Sequence, residues 1–198
     1  MALTQIRARL TAYRPHVIEE PRVARAAVAL VLADPGDGVE LLLIRRATRD
    51  DDPWSGHMAL PGGRRDPDDA DAVATASRET LEEVGVDLGA DAEVIGRLDE
   101  LRAVARHRPL DLVITPVVFV LHRAVVLRPS PREVESAVWV PLSFLDRGPW
   151  EATTWSDGAN ADKVGTDYRR RVSDVTAPGA LSLDLAPGGG AVVRLRRK

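Results

Sequence analysis

Apolar positions along the chain fall into several short runs of strand character and one long stretch of helical periodicity. Ala26–Ala33 (AAVALVLA) is continuously apolar, Asp34-Pro35-Gly36-Asp37-Gly38 reads as a turn, and Val39–Arg46 (VELLLIRR) returns. The pattern predicts a hairpin buried on both faces. Met58–Leu60 predicts a short strand that delivers the turn Pro61-Gly62-Gly63. Asp91–Leu98 and Leu112–Leu121 read as further strands, the second extended by Val125–Leu127 and carrying Pro116, which predicts a bulge or an edge. Val138–Leu142 is another strand, and Ser143 is placed to cap a short helix with Phe144 and Leu145. At the N-terminus Leu3, Ile6 and Leu10 recur at helical spacing, so a short amphipathic helix is expected to pack on its own domain, with a homodimer contact as its alternative use. Asp99–Pro109 reads as a charged loop and Trp150–Arg171 has no clean period. In the tail, Leu181–Leu185 and Ala191–Leu195 predict a hairpin joined at Pro187–Gly190.

The long helical stretch runs from about Asp71 to Val84, and Gly85 stands where a helix-terminating glycine belongs. At about 100° per residue, Glu82 and Glu83 flank Glu79 at roughly 60° and 40° to either side, so the carboxylates share one narrow face. Val73, Ala76, Thr80, Leu81 and Val84 form the face expected against a sheet. Carboxylates gathered in this way repel one another, and a hard divalent cation that prefers oxygen relieves the repulsion.

Strands around one central helix predict an α+β domain. The 198 residues suit a single domain with some decoration, and no second domain is visible. Net charge of -3 gives no basic field for nucleic acid, and the lack of cysteine excludes disulfides and thiolate ligands. No apolar run approaches the ~20 residues that span a bilayer, so no membrane partner is expected and a cytoplasmic location is the default.

The stretch LPGGRRDPDDADAVATASRETLEEVGV, Leu60–Val86, resembles the Nudix box, G-x5-E-x7-R-E-U-x-E-E-x-G-U with U apolar. Arg78, Glu79, Glu82, Glu83, Gly85 and Val86 fall in place, Thr80 takes the first U position, and one extra residue separates Gly63 from Arg78, leaving Asp69 or Ala70 at the early Glu. The resemblance implies an α/β/α sandwich on a mixed sheet. It also implies hydrolysis of a diphosphate linked to another moiety, with Mg²⁺ or Mn²⁺ as cofactor. Glu79, Glu82 and Glu83 would then be metal ligands, with the Gly63 carbonyl completing the shell. Glu82 or Glu83 would activate water, and Arg78 would orient a carboxylate. Asp69 would support the loop. Some relatives place a general base on a later loop, where Glu133 and Glu135 stand, although ordinary surface charge is the preferred reading of both.

Upstream, Leu42-Leu43-Ile44-Arg45-Arg46-Ala47, Gly56 and Leu60-Pro61-Gly62-Gly63 resemble the additional motif of coenzyme A diphosphatases, L-L-T-x-R-[SA]-x3-R-x3-G-x3-F-P-G-G. Arg46-Ala47 and Gly56 match, Ile44 replaces Thr, Leu60 replaces Phe, and Asp52 aligns with the second Arg, with Arg49 nearby. Arg45, Arg46 and Gly62 are the substrate-binding candidates, and coenzyme A or its derivatives the leading substrate. ADP-ribose or another nucleoside diphosphate is the alternative, and a nucleotide sensor without turnover the non-enzymatic one, disfavoured by the intact helix carboxylates. Trp54, His57, His107 and the basic loop Arg102, Arg106 and Arg108 have ordinary structural or solvated roles as the preferred reading. Residues 1–20 form a helix and linker, 21–148 the Nudix-like domain, and 149–198 an extension packed on it.

Overall fold

A computed structural model describes residues 2–48, 56–105, 108–145, 150–157, 168–175 and 191–197. They divide into two compact units, residues 1–105 with 109–143, and residues 106–108 with 144–198.

The first unit opens with helix α1 (Leu3–Ala12), followed by strands β1 (Ala24–Ala33), β2 (Glu40–Arg46), β3 (Met58–Ala59) and β4 (Gly62–Arg64). Helix α2 (Ala72–Val84) and the single turn α3 (Leu88–Asp91) come next, then β5 (Ala92–Arg97), β6 (Leu101–Ala105), β7 (Arg108–Leu121) and β8 (Val134–Pro141). The strands form one eight-stranded sheet with the backbone order β3-β2-β1-β7-β5. It is mixed, because β1 and β7 run parallel while β1–β2, β5–β7 and β2–β8 are antiparallel. The N-terminal half of β1 pairs with β4, Ala27 opposite Gly63, and its C-terminal end pairs with β2, Leu32 opposite Leu41. Strand β2 therefore parts from β1 at its far end, and the glycine turn fills the notch.

Alternation along β1 explains the layering. Ala27, Ala29 and Val31 face α2 in a core with Leu42, Ile44, Ala76, Val84, Val117 and Phe119. On the opposite face Leu32, Leu41, Val118 and Val120 pack with Leu3, Ile6 and Leu10 of α1. Helix on sheet on helix is the α/β/α sandwich, and α1 packs on its own domain.

Several details depart from the sequence-based expectations. The charged loop contains β6, which pairs with β7; the alternation of Leu101, Ala103 and Ala105 was masked by neighbouring arginines. Pro116 lies inside β7 opposite Val28, and the register shift sits in β5 between Val94 and Gly96 instead. Strand β7 stops at Leu121, so Val125–Leu127 does not extend it. Leu81 is 49% exposed and is not on the buried face of α2.

The second unit holds β9 (Trp150–Asp157), β10 (Tyr168–Val175) and β11 (Ala191–Arg197) in a three-stranded antiparallel sheet with β9 central. One helical turn, α4 (Leu142–Leu145), precedes it. The segment without readable period thus supplies β9 and β10, and β11 pairs with β9, Leu195 opposite Ala152. The expected partner Leu181–Leu185 and its glycine turn lie outside the described residues.

Candidate active site

Helix α2 is fixed at both ends. The Asp71 carboxylate accepts from the N–H groups of Val73 and Ala74, at 2.8 and 2.9 Å. Gly85 terminates it in the left-handed conformation, φ 71°, donating to the Leu81 carbonyl at 2.9 Å. The following loop also caps the helix, as Arg128 N–H donates to the Val84 carbonyl and Ser130 N–H to the Glu83 carbonyl, each at 2.8 Å. That loop then brings Glu133 to the end of β2, where its carbonyl accepts from Ala47 N–H at 2.9 Å.

A cavity of about 540 Å³ opens at the notch in the sheet. Glu79, Glu83 and Glu133 line it together with Arg46, Arg64, His57, Gly62 and Gly63. Glu83 is only 3% exposed and accepts from Gly62 N–H at 2.9 Å. Burial pushes its carboxyl up to about 7; the charges of Glu79 and Glu133 push the same way, against the Gly62 hydrogen bond and Arg46. Glu79 is also raised, first by burial and further by the charges of Glu82 and Glu133, while Arg78 opposes.

Arg78 is the hub of the arrangement. Its Nε and Nη2 grip both oxygens of Asp69 at 3.1 and 3.0 Å, its Nη1 donates to Glu79 at 3.0 Å and to Glu82 at 3.1 Å, and Nη2 also donates to the Arg64 carbonyl at 3.0 Å. The fork holds Asp69, itself 7% exposed, at about 2, well below the usual carboxylate range. Asp69, expected only to support the loop, is therefore the anchor of the arginine. The glycines have separate reasons. Gly62 adopts φ 152°, and a Cβ there would meet the Ala27 carbonyl oxygen at 2.3 Å; a Cβ on Gly63 would meet the Glu79 carboxylate at 2.4 Å.

Not every expected residue converges. Arg46 lines the cavity, whereas Arg45 is half exposed and pairs with Glu135 at 3.0 Å outside it. Successive strand residues point to opposite faces, so the two could not share one site. Glu82 has its side chain 53% exposed and is drawn to Arg78, away from the cavity lining. Among the described residues no group of three or more His, Asp or Glu is placed to hold a metal ion. Arg78 engages Glu79 and Glu82, and Gly62 engages Glu83. In kind the donors do suit a hard cation, since Glu79 and Glu83 are carboxylates sharing a cavity in which burial disfavours their charge. Glu133, for which ordinary surface charge is the preferred sequence reading, lines the cavity instead, and Arg64, which the sequence does not single out, lines it as well. Their signals were the pairing of β8 with β2, which sets Val134 opposite Arg46, and the position of Arg64 directly after the glycine pair. Arg102 pairs with Glu20 and Asp111. Trp54, Arg49, Asp52, Arg106 and His107 lie outside the described residues.

A mixed sheet between helices, with a glycine turn facing a carboxylate-bearing helix, defines a loop-helix-loop site of the Nudix class. The NUDIX domain model matches residues 23–158, most of the chain, and the chain belongs to that family. It is 41% identical over 156 residues to an uncharacterized protein of Schizosaccharomyces pombe, covering 69% of this chain and 47% of that one. It is 37% identical over 123 residues to a peroxisomal coenzyme A diphosphatase of Caenorhabditis elegans, covering 61% of this chain and 50% of that one. The chain thus spans about half the length of these relatives. A solved Caenorhabditis elegans Ap4A hydrolase shares the fold, with a TM-score of 0.51 at 21% identity over 62% of this chain and 83% of that one. Residues 131–196 also match a model described as glycosyl-hydrolase 97 C-terminal, oligomerisation. Among the described residues no helix is long and apolar enough to cross a membrane.

Proposed function

We propose that this protein is a divalent-metal-dependent hydrolase that cleaves the diphosphate of coenzyme A or its acyl derivatives, giving adenosine 3′,5′-bisphosphate and a 4′-phosphopantetheine. The observation that carries the chemistry is the pair Glu79 and Glu83, lining one cavity beside the Gly62-Gly63 turn and Arg46, with Glu83 buried. The substrate is supported by the 37% identity to a coenzyme A diphosphatase and by the Arg46-Ala47 and Gly56 positions.

Glu79 and Glu83 would hold Mg²⁺ or Mn²⁺, joined by Glu82 once released from Arg78 and by the Gly63 carbonyl. Such an ion, when bound, neutralises phosphate oxygens and lowers the pKa of an attacking water. The protein's own groups do the rest. Arg46 and Arg64 offer guanidinium forks to the diphosphate. Arg78 positions Glu79 through the anchor at Asp69. Glu83 stays ordered by Gly62, and Glu133, on the cavity wall, would take the proton from water.

The experiment is product chromatography after incubation with Mg²⁺ or Mn²⁺ and coenzyme A, acetyl-coenzyme A, ADP-ribose or diadenosine tetraphosphate, with Glu83→Gln as control. Coenzyme A cleavage lost in the variant supports the reading. Turnover of ADP-ribose alone would leave the metal chemistry standing and remove the coenzyme A assignment, and binding without turnover would indicate a sensor.

The match of residues 131–196 to an oligomerisation domain supports a second proposal, that the C-terminal unit mediates self-association of this chain. Light scattering of the full chain should then give the mass of a dimer or larger; a monomer at all concentrations refutes it.

A further inference from the structure

The cavity has two kinds of wall. One carries Glu79, Glu83, Glu133 and the arginines; the other is made by Ala26 and Val28 of β1, Ala103 of β6, and Leu112 and Ile114 of β7. Ala26, Ala103 and Leu112 form a small cluster with Leu110 and Ile114, separate from both main cores. Even-numbered positions of β1 carry this wall, on the sheet face opposite α2, and further along that face Leu32, Val118 and Val120 are covered by α1. The sheet thus has one stretch buried under a helix and a second stretch of the same face turned into the cavity.

We infer that this aliphatic wall is the subsite for the pantetheine half of the substrate, and that Ala103 and Ile114 set its selectivity. The inference rests on the coenzyme A reading above. Among the described lining residues the wall offers neither an aromatic ring for a purine to stack on nor a polar side chain to satisfy a purine edge, and a purine buried there would leave its nitrogens unpaired. The pantetheine arm fits instead. It carries two methyl groups on the carbon next to its phosphate-bearing methylene, so an apolar branch lies within a few bonds of the scissile diphosphate. A cavity bearing carboxylates on one side and small aliphatic side chains on the other can take both in one pose. The adenosine half, with its ring a full ribose away from the diphosphate, lies outside the wall. Ala26 and Ala103 leave room at the wall, and a larger residue at 103 narrows it.

The test uses the full chain with two probes, 4′-phosphopantetheine and adenosine 3′,5′-bisphosphate, measured by calorimetry in the presence of Mg²⁺. Ala103→Leu should weaken 4′-phosphopantetheine binding about tenfold, as expected for overfilling a packed apolar site, and leave the bisphosphate unchanged. The ratio of kcat/KM for coenzyme A to that for ADP-ribose should fall alongside. Ile114→Ser provides the same reading should Ala103→Leu unfold, and thermal unfolding of each variant reports its fold. Equal losses for both probes, a loss confined to the bisphosphate, no change in either, or no binding of 4′-phosphopantetheine to the wild type overturns the inference. Failure of the wild type to cleave coenzyme A refutes the proposed function instead, and the two binding constants still decide the subsite.

Discussion

Gly63 lies so close to Glu79 that a methyl group in place of its hydrogen would sit 2.4 Å from the carboxylate. The obstacle is the far end of a side chain, so Gly63→Ala should fold and move the carboxylate. Displacement of a reacting group by about 1 Å can cost on the order of 10²-fold in rate. Gly62→Ala meets backbone instead, the Ala27 carbonyl oxygen at 2.3 Å and Val28 Cα at 2.6 Å, at φ 152°. The two neighbours should therefore separate: kcat falls with little change in Tm for Gly63→Ala, whereas Gly62→Ala lowers Tm. Equal Tm losses would contradict the distinction.

Glu83 gives the metal-free protein a definite pH dependence. Its carboxyl stands at about 7 when folded against 4.5 as a free side chain. Between those values the folded state holds a proton that the unfolded chain has released. The stabilisation is complete below about 4.5 and is lost as pH rises through 7, amounting to about 3 kcal/mol at 1.36 kcal/mol per pH unit. Urea unfolding in chelator should show this decline between pH 5 and pH 8 at roughly that size, and Glu83→Gln should remove it. Mg²⁺ should raise Tm more at pH 8 than at pH 5.5, because at the lower pH it competes with the proton.

Much of this site is legible in the chain. The spacing of Glu79, Glu82 and Glu83, the Gly85 stop and the Asp71 start all express local helix geometry, which depends on near neighbours in sequence. The sandwich is what the family resemblance implies, and the continuous apolar runs at β1 and β2, which have to be covered on both faces, agree with it. What escaped is non-local. Whether Arg45 or Arg46 faces the cavity depends on strand parity and on a register shift at that point in the β2–β8 pairing. Glu133 gains its place from a loop that caps α2 and returns to β2, a relation between segments far apart in sequence. The 49% exposure of Leu81 is a matter of what packs on the helix, which periodicity does not report. The β9–β10 pairing was hidden because its strands mix Trp, Thr and Arg without an apolar alternation.

Asp69 should behave as a positioning residue acting through Arg78. Asp69→Asn keeps the shape but replaces a charged two-point grip with a neutral one, leaving Nε and Nη2 of Arg78 with a weaker partner. The guanidinium then leans further on Glu79 and Glu82. kcat should drop about tenfold and the apparent Mg²⁺ affinity should fall with it, since Arg78 competes for the same oxygens. Because the Asp69 carboxyl is held at about 2, its stabilising contribution is present above the ordinary carboxylate range and lost as pH falls toward 2. Acid unfolding of the variant should accordingly lack that component. A variant with full Mg²⁺ affinity and unchanged kcat would remove Asp69 from the machinery.

The two neighbouring arginines supply the sharpest contrast. Arg45 is half exposed and meets Glu135 in a surface pair, which is worth about 0.2–1 kcal/mol at most. Arg45→Ala should therefore leave kcat/KM near the wild-type value and stability within about 0.5 kcal/mol. Arg46 lines the cavity, and its charge acts on Glu83. If Arg46 binds the diphosphate as proposed, removing it should cost charge-assisted hydrogen bonds of about 1.5–3 kcal/mol, or roughly 10- to 100-fold in kcat/KM. The same loss takes away a positive charge that holds the Glu83 carboxyl down, so the acid limb of the pH–rate profile should move to higher pH. Arg46→Lys keeps the charge without the planar fork and should restore the position of that limb more fully than the rate. If Arg45→Ala proved the more damaging of the two, the orientation of the β2 terminus described here would be wrong.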